Sequence, residues 1–148
     1  MSEIFDQIQY RIFNRFRKGI LSKDMETFLL ISAGAILGAN LRYWIGTWAG
    51  KHLGTSFPFG TLIINLTGSL ILGFFMTLAV DRLLVDPRWR IFFAVGFLGA
   101  YTTFSSYTFE SMNLILDNQW LLGLLNLFGS SFLGGVAGFL GIVLARVI

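Results

Sequence analysis

Four stretches of more than 20 residues, nearly free of charge and joined by short connections, limit this chain more than any other feature of its sequence. Residues 27–49 contain only Arg42 as a charge, 59–80 none, 91–116 only Glu110, and 120–145 none. A helix rises about 1.5 Å per residue and bilayer hydrocarbon is about 30 Å thick, so about 20 apolar residues suffice to cross it. Each stretch is therefore read as a spanning helix. Only 13% of the 148 residues are charged, where soluble domains carry about 25%. A mean hydropathy of +0.71 leaves one domain with more apolar surface than one core can hold. The connections at 51–58, 81–90 and 117–119 are short, so successive helices must pack as antiparallel neighbours. The expected fold is an all-α membrane protein with four transmembrane helices per subunit.

Absences narrow the chemistry. There is no cysteine and a single histidine, His52, which excludes a disulfide framework, a thiolate site and a histidine cluster. No nucleophile–base pair is legible, so an enzyme is not expected, nor is a nucleic-acid partner. The 17 glycines against 2 prolines suit helices packed closely in lipid.

The first 25 residues differ from the rest. Ile4, Ile8, Ile12, Phe16 and Ile20 recur every four residues beside Phe5 and Phe13, while Arg11, Arg15, Arg17 and Lys18 occupy other faces. This pattern predicts a basic amphipathic helix lying in the membrane interface. A cleavable signal peptide would need an uncharged apolar core before Lys23, which is missing. The chain thus divides into a 1–25 extension and a 26–148 transmembrane domain. With four spans, both termini and the 81–90 loop share a side carrying Lys23, Arg82, Arg88, Arg90, Arg146 and the basic extension. The opposite side has Lys51. The excess of positive charge places both termini in the cytoplasm.

Polar residues inside the spans are the candidate functional groups. Asn65 stands among Ile63, Ile64 and Leu66. A lone amide in hydrocarbon costs several kcal/mol, so it must bond another helix or line a watery path. Arg42, near Tyr43 and Trp44, either snorkels to the interface or shapes the potential of a vestibule that favours anions. Glu110 must face a cavity or a partner, for proton exchange, cation pairing or structural hydrogen bonding. Asn126, Ser130 and Gly134 recur every four residues and share one helix face. In 91–116, the glycines and hydroxyls of Gly96, Gly99 and Tyr101–Ser106 are poor helix formers. They predict a break near Gly99–Thr103, where freed carbonyls could bind a cation. Phe104 and Tyr107 share a face. Their positive ring edges could meet a small anion, although packing alone also explains them.

At these residues the chain resembles the CrcB/Fluc family of fluoride channels. The carriers are GAILGANLRY (34–43), FPFGTLIINLTGSLILG (57–73) and GFLGAYTTFSSYTFE (96–110), with weaker Ser and Gly spacing in 126–141. The resemblance implies an antiparallel, dual-topology homodimer with two pores that passively export fluoride across the plasma (inner) membrane. It implies a structural Na⁺ on the two-fold axis, held by the carbonyls of Gly99 and Thr102. Asn65 would be the pore amide and Phe104 the first aromatic. Ser106 joins the pore set, and Glu110 would share a polar track with Ser130. Two positions depart from the family pattern: Tyr107 stands where a Phe is expected, and Asn126 where a Tyr is usual. The basic extension is a third departure. It favours a fixed orientation, and hence a heterodimer with an inverted paralogue as the alternative to the homodimer. A proton-coupled exporter of cations would want a carboxylate in the first span, and 27–49 has none. A non-conducting assembly subunit would leave Asn65 and Glu110 without a role.

Overall fold

The computed structural model describes residues 2–81 and 85–148, with side chains at Tyr10, Gly19 and from Ser22 onward. The expected amphipathic face of 1–25, and the contribution of Arg82 to topology, lie outside the described residues.

Five helical elements follow in order. Helix α1 runs Ser2–Leu53 and α2 runs Phe59–Asp81. Helix α3 covers 87–101, α4 Phe104–Leu116 and α5 Trp120–Val147. No strand occurs among the described residues. Three of these helices, α1 from Ser22, α2 and α5, are long and apolar enough to cross a membrane, so the chain is an all-α membrane protein. The third apolar stretch is divided between α3 and α4. Helix α1 is a single helix of 52 residues, about 78 Å long at 1.5 Å per residue, so no backbone break marks the boundary at residue 25. Three segments adopt the wider i→i+5 geometry: Thr77–Asp81, Arg90–Leu98 and Leu125–Gly129.

Local chemistry sets the ends. The side chain of Asp86 accepts from the Arg88 amide at 2.8 Å, with Pro87 at the first turn of α3, a position where its missing N–H costs nothing. Asn118, with φ 61°, reverses the chain between α4 and α5. Its amide bonds the Ile115 carbonyl at 3.1 Å, and that of Gln119 the Leu114 carbonyl at 2.8 Å.

Two glycine seams hold the helices at backbone contact. Along α1 and α3, a Cβ at Gly34 would meet the Phe92 carbonyl and the Phe97 amide, and one at Gly96 would lie 2.7 Å from the Ile31 carbonyl. Along α2 and α5, a Cβ at Gly73 would strike the Gly138 carbonyl and one at Gly141 the Leu70 carbonyl. In lipid, helices gain little from apolar burial, so this close approach supplies the dispersion contact that holds them. Between the seams, Ile64, Leu98 and Tyr101 are buried against Leu41, Ile45, Ile71, Phe93 and Phe97. Phe93, Phe97 and Tyr101 stack at centroid distances of 5.2 and 6.0 Å, and Phe75 joins the column at 4.7 Å.

Ion pairs mark one end of the bundle. Arg88 Nε lies 2.9 Å from Glu26 Oε1, and Arg146 Nη2 lies 3.6 Å from Asp81 Oδ2. The start of the apolar part of α1, Asp81 at the end of α2, Arg88 at the start of α3 and the end of α5 therefore meet at the same end.

Replacing Gly96 by Leu should open the α1–α3 seam and cost about 1–3 kcal/mol or more from overpacking. Gly46→Ala, where an added Cβ meets nothing within 4 Å, should stay within about 0.5 kcal/mol. Thermal unfolding of the purified protein in detergent checks both. Equal losses from the two substitutions would contradict the seam.

Candidate functional site

The break between α3 and α4 consists of two extended residues, Thr102 (φ −78°, ψ 159°) and Thr103 (φ −150°, ψ 118°). In an unbroken helix the Thr103 amide would bond the Gly99 carbonyl four residues back. Here it donates to Asn65 Oδ1 at 2.9 Å, and Asn65 Nδ2 donates to the Thr103 carbonyl at 3.0 Å. One side chain on α2 thus satisfies both polar groups of the residue at the break. Thr103 also caps α4, its Oγ1 accepting from the Ser106 amide at 3.2 Å and donating to Ser106 Oγ at 3.1 Å. Gly68 leaves room for the displaced backbone, since a Cβ there would run into Thr102 Cγ2.

Beside the break lies a cavity of about 580 Å³, lined among others by Asn65, Ser69, Thr103, Phe104, Tyr107 and Ser130. Phe104 opens α4 and is 78% exposed, while Tyr107 is only 6% exposed. Their rings sit 5.7 Å apart and tilted by 49°. Because Thr103 and Phe104 line the wall, the N-terminus of α4 opens on this space, and a helix N-terminus favours negative charge.

Behind the wall is a second polar layer. Asn126, 1% exposed, donates to Ser111 Oγ at 2.8 Å and accepts from Ser130 Oγ at 2.9 Å. Ser111 in turn donates to the Tyr107 carbonyl at 2.8 Å. The Tyr107 hydroxyl contacts Ser131 Oγ at 2.7 Å and donates to the Leu127 carbonyl.

Glu110 lies elsewhere. It lines a separate cavity of about 510 Å³ with Thr61, Asn113 and Asp117. Its Oε1 accepts from Thr61 Oγ1 at 2.8 Å, and its Oε2 is buried without a protein partner. Arg42 does reach the break, its Nη1 donating to the Thr102 carbonyl at 3.5 Å.

The structure therefore gathers Asn65, Phe104, Tyr107, Ser130, Gly99 and Thr102 around one cavity. Asn126 reaches it through Ser130, and through Ser111 and Tyr107, and Ser106 serves the cap of α4. Within one chain, Glu110 and Ser130 line different cavities. Sequence reasoning placed Thr103 at the break but not as a cap, and missed Ser111 and Ser131. Thr103 carried a signal, since a Thr just before a helical run is a cap pattern; Ser131 carried none. At the break, the Gly99 carbonyl is released from the Thr103 amide, while the Thr102 carbonyl accepts from Arg42. Among the described residues no group of three or more His, Asp or Glu is placed to hold a metal ion.

Comparison with known proteins gives a consistent picture. The family described as "CrcB-like protein, Camphor Resistance (CrcB)" matches residues 29–142. The "Fluoride-specific ion channel FluC" of Sulfurihydrogenibium sp. (strain YO3AOP1) is 49% identical over 127 residues, covering 84% of this chain and 100% of the relative. The protein of the same description from Koribacter versatilis (strain Ellin345) is 50% identical over 93 residues, covering 63% and 74%. That from Synechococcus sp. (strain JA-2-3B'a(2-13)) is 41% identical over 128 residues, covering 86% and 98%.

Asn65→Leu should orphan the amide and the carbonyl of Thr103, at about 1–3 kcal/mol for each buried group left unpaired. The expected result is a clear fall in unfolding temperature and faster amide exchange at 102–106. Exchange unchanged from the parent chain would show that Asn65 does not hold the break.

Proposed function

This chain belongs to the CrcB-like protein family, and on that premise we propose that it is a fluoride-selective channel through which cytoplasmic fluoride leaves passively. It is an ion channel and not an enzyme. The observation that carries the mechanism is the cavity at the break, where Phe104, Tyr107 and the N-terminus of α4 converge. Fluoride is small and strongly hydrated. Its water must be replaced by aromatic ring edges, which carry positive charge, and by the partial positive charge of the helix end. Contacts of this kind are individually weak, so an ion can leave as well as enter.

The functional unit is an antiparallel homodimer, with the third and fourth apolar stretches completing four crossings per subunit. Support comes from the apolar helices, which stay largely uncovered in one chain, and from Phe104, which stands 78% exposed at the head of α4. Two copies of the Gly99 and Thr102 carbonyls would offer oxygen ligands to a central Na⁺. Their fit rests on the break, which withdraws the Thr103 amide from the Gly99 carbonyl. Bound there, Na⁺ would supply a fixed positive charge between the subunits. The protein resides in the plasma (inner) membrane, with the end that carries Arg88 and Arg146 in the cytoplasm for one subunit and on the opposite side for its antiparallel partner.

Liposomes loaded with fluoride or chloride and containing the purified chain give the test. Fluoride should leave rapidly and chloride should stay. Equal efflux of both, or none of either, rejects the channel. Phe104→Leu should slow fluoride efflux by about tenfold, roughly the effect of losing one aromatic contact, while the protein still assembles.

A further inference from the structure

Tyr107 stands where the family pattern has a Phe, and its phenol raises a choice. The hydroxyl either faces the ion as a donor or belongs to the wall. A phenol has one hydrogen. Here that hydrogen goes to the Leu127 carbonyl, and Ser131 Oγ, 2.7 Å away, fills the remaining side of the oxygen. Ser131 Oγ also lies 2.9 Å from the Leu127 carbonyl, so its one hydrogen serves either that carbonyl or the Tyr107 oxygen. The three oxygens thus form a closed cluster on a residue that is only 6% exposed, and no hydrogen is left for an anion.

We infer that Tyr107 is a positioning and specificity-determining residue: its hydroxyl pins α5 to α4 across the cavity wall and thereby fixes the width that excludes anions larger than fluoride. Three observations carry this. Leu127 lies inside the wide turn Leu125–Gly129, a stretch of looser backbone geometry that an external bond can hold. Tyr107 and Ser131 both line the cavity, so the bond joins two of its walls directly. The buried Asn126–Ser111 bond at 2.8 Å joins the same two helices, so the Tyr107 cluster is a second tie that fixes their register. The carbon-bound ring edge remains for the ion, and toward fluoride Tyr107 acts as a Phe would.

The inference rests on the fluoride-channel reading, and its test separates the two. Liposome efflux is measured for the parent chain, Tyr107→Phe, Ser131→Ala and the double variant. The parent chain must release fluoride, or the channel reading itself fails. If the hydroxyl acts through the wall, Tyr107→Phe and Ser131→Ala should each lower the fluoride-to-chloride efflux ratio by about tenfold, the effect of one net hydrogen bond. The double variant should be no worse than the more affected single one, because both substitutions break the same cluster. An unchanged ratio in both single variants overturns the inference. So does a Tyr107→Phe that raises the half-saturating fluoride concentration while Ser131→Ala leaves both readouts unaltered, since the hydroxyl would then contact fluoride. Ser131→Ala removes no ring, so it answers the question even if Tyr107→Phe assembles poorly.

Discussion

Everything at the centre of this protein depends on the two hydrogen bonds between Asn65 and the backbone of Thr103. Irregular backbone at membrane depth persists only where protein or a watery cavity satisfies it. Each unmade amide or carbonyl bond there would cost several kcal/mol. A primary amide offers a donor and an acceptor side by side, and it presents both to one peptide segment. No other uncharged side chain on α2 has both groups in that geometry, since the nearby threonines carry a single hydroxyl. The clamp does more than tolerate the break. By holding Thr103 extended it lets the Thr103 hydroxyl cap α4, so the same residue ends the break and starts the next helix. The helix end that faces the cavity is a consequence of that cap.

The glycine seams make the clamp geometrically possible. Asn is short, so α2 must lie close to the break. Gly68 supplies the space on α2 where Thr102 would otherwise collide, and Gly34 and Gly96 bring α1 against α3 from the other side. The aromatic column of Phe93, Phe97 and Tyr101 then sits over the contact. Tyr101 adds a bond to Thr67 at 2.8 Å, two residues along α2 from the clamp. Packing and polar bonding are therefore coupled. A bulkier residue at a seam would lengthen the Asn65 bonds as surely as a change at Asn65 itself.

Much of this was legible from residues alone, and the reasons are physical. Charge-free length identifies lipid-crossing helices because desolvating backbone leaves few alternatives, and 59–80 and 120–145 read correctly. The break near Gly99–Thr103 was legible because glycine and hydroxyl residues weaken a helix locally. Asn65 was legible as a residue needing partners, but its partner was not, because the bond joins positions 38 apart in sequence. The same limit explains Glu110 and Ser130. Each is a polar residue within an apolar stretch, yet which cavity each lines depends on helix rotation, which a repeat of four does not fix. The wide turns at 90–98 and 125–129 shift side chains off the regular helical progression, so strict i+4 reasoning drifts along α3 and α5. The identity of the ion came from the motif and from the relatives, since composition and periodicity argued only for a cavity.

Counting where the hydrogens go narrows what an anion can meet. The Thr103 amide and one Asn65 hydrogen are used on each other's groups, and the Ser130 hydroxyl is used on Asn126. The Ser111 hydroxyl is used on the Tyr107 carbonyl and the Tyr107 hydroxyl on Leu127. A wall rich in hydroxyls thus offers few free donors. What remains at the cavity is the other hydrogen of Asn65, the Ser69 hydroxyl, the edges of two rings and the end of α4. A site with many free donors would bind a strongly hydrated anion tightly and hold it, whereas conduction needs binding weak enough for release. The polar residues of the break therefore act as scaffolding that consumes its own hydrogen-bonding capacity, and on the proposed channel reading weak, preorganised contacts are what is left for the ion.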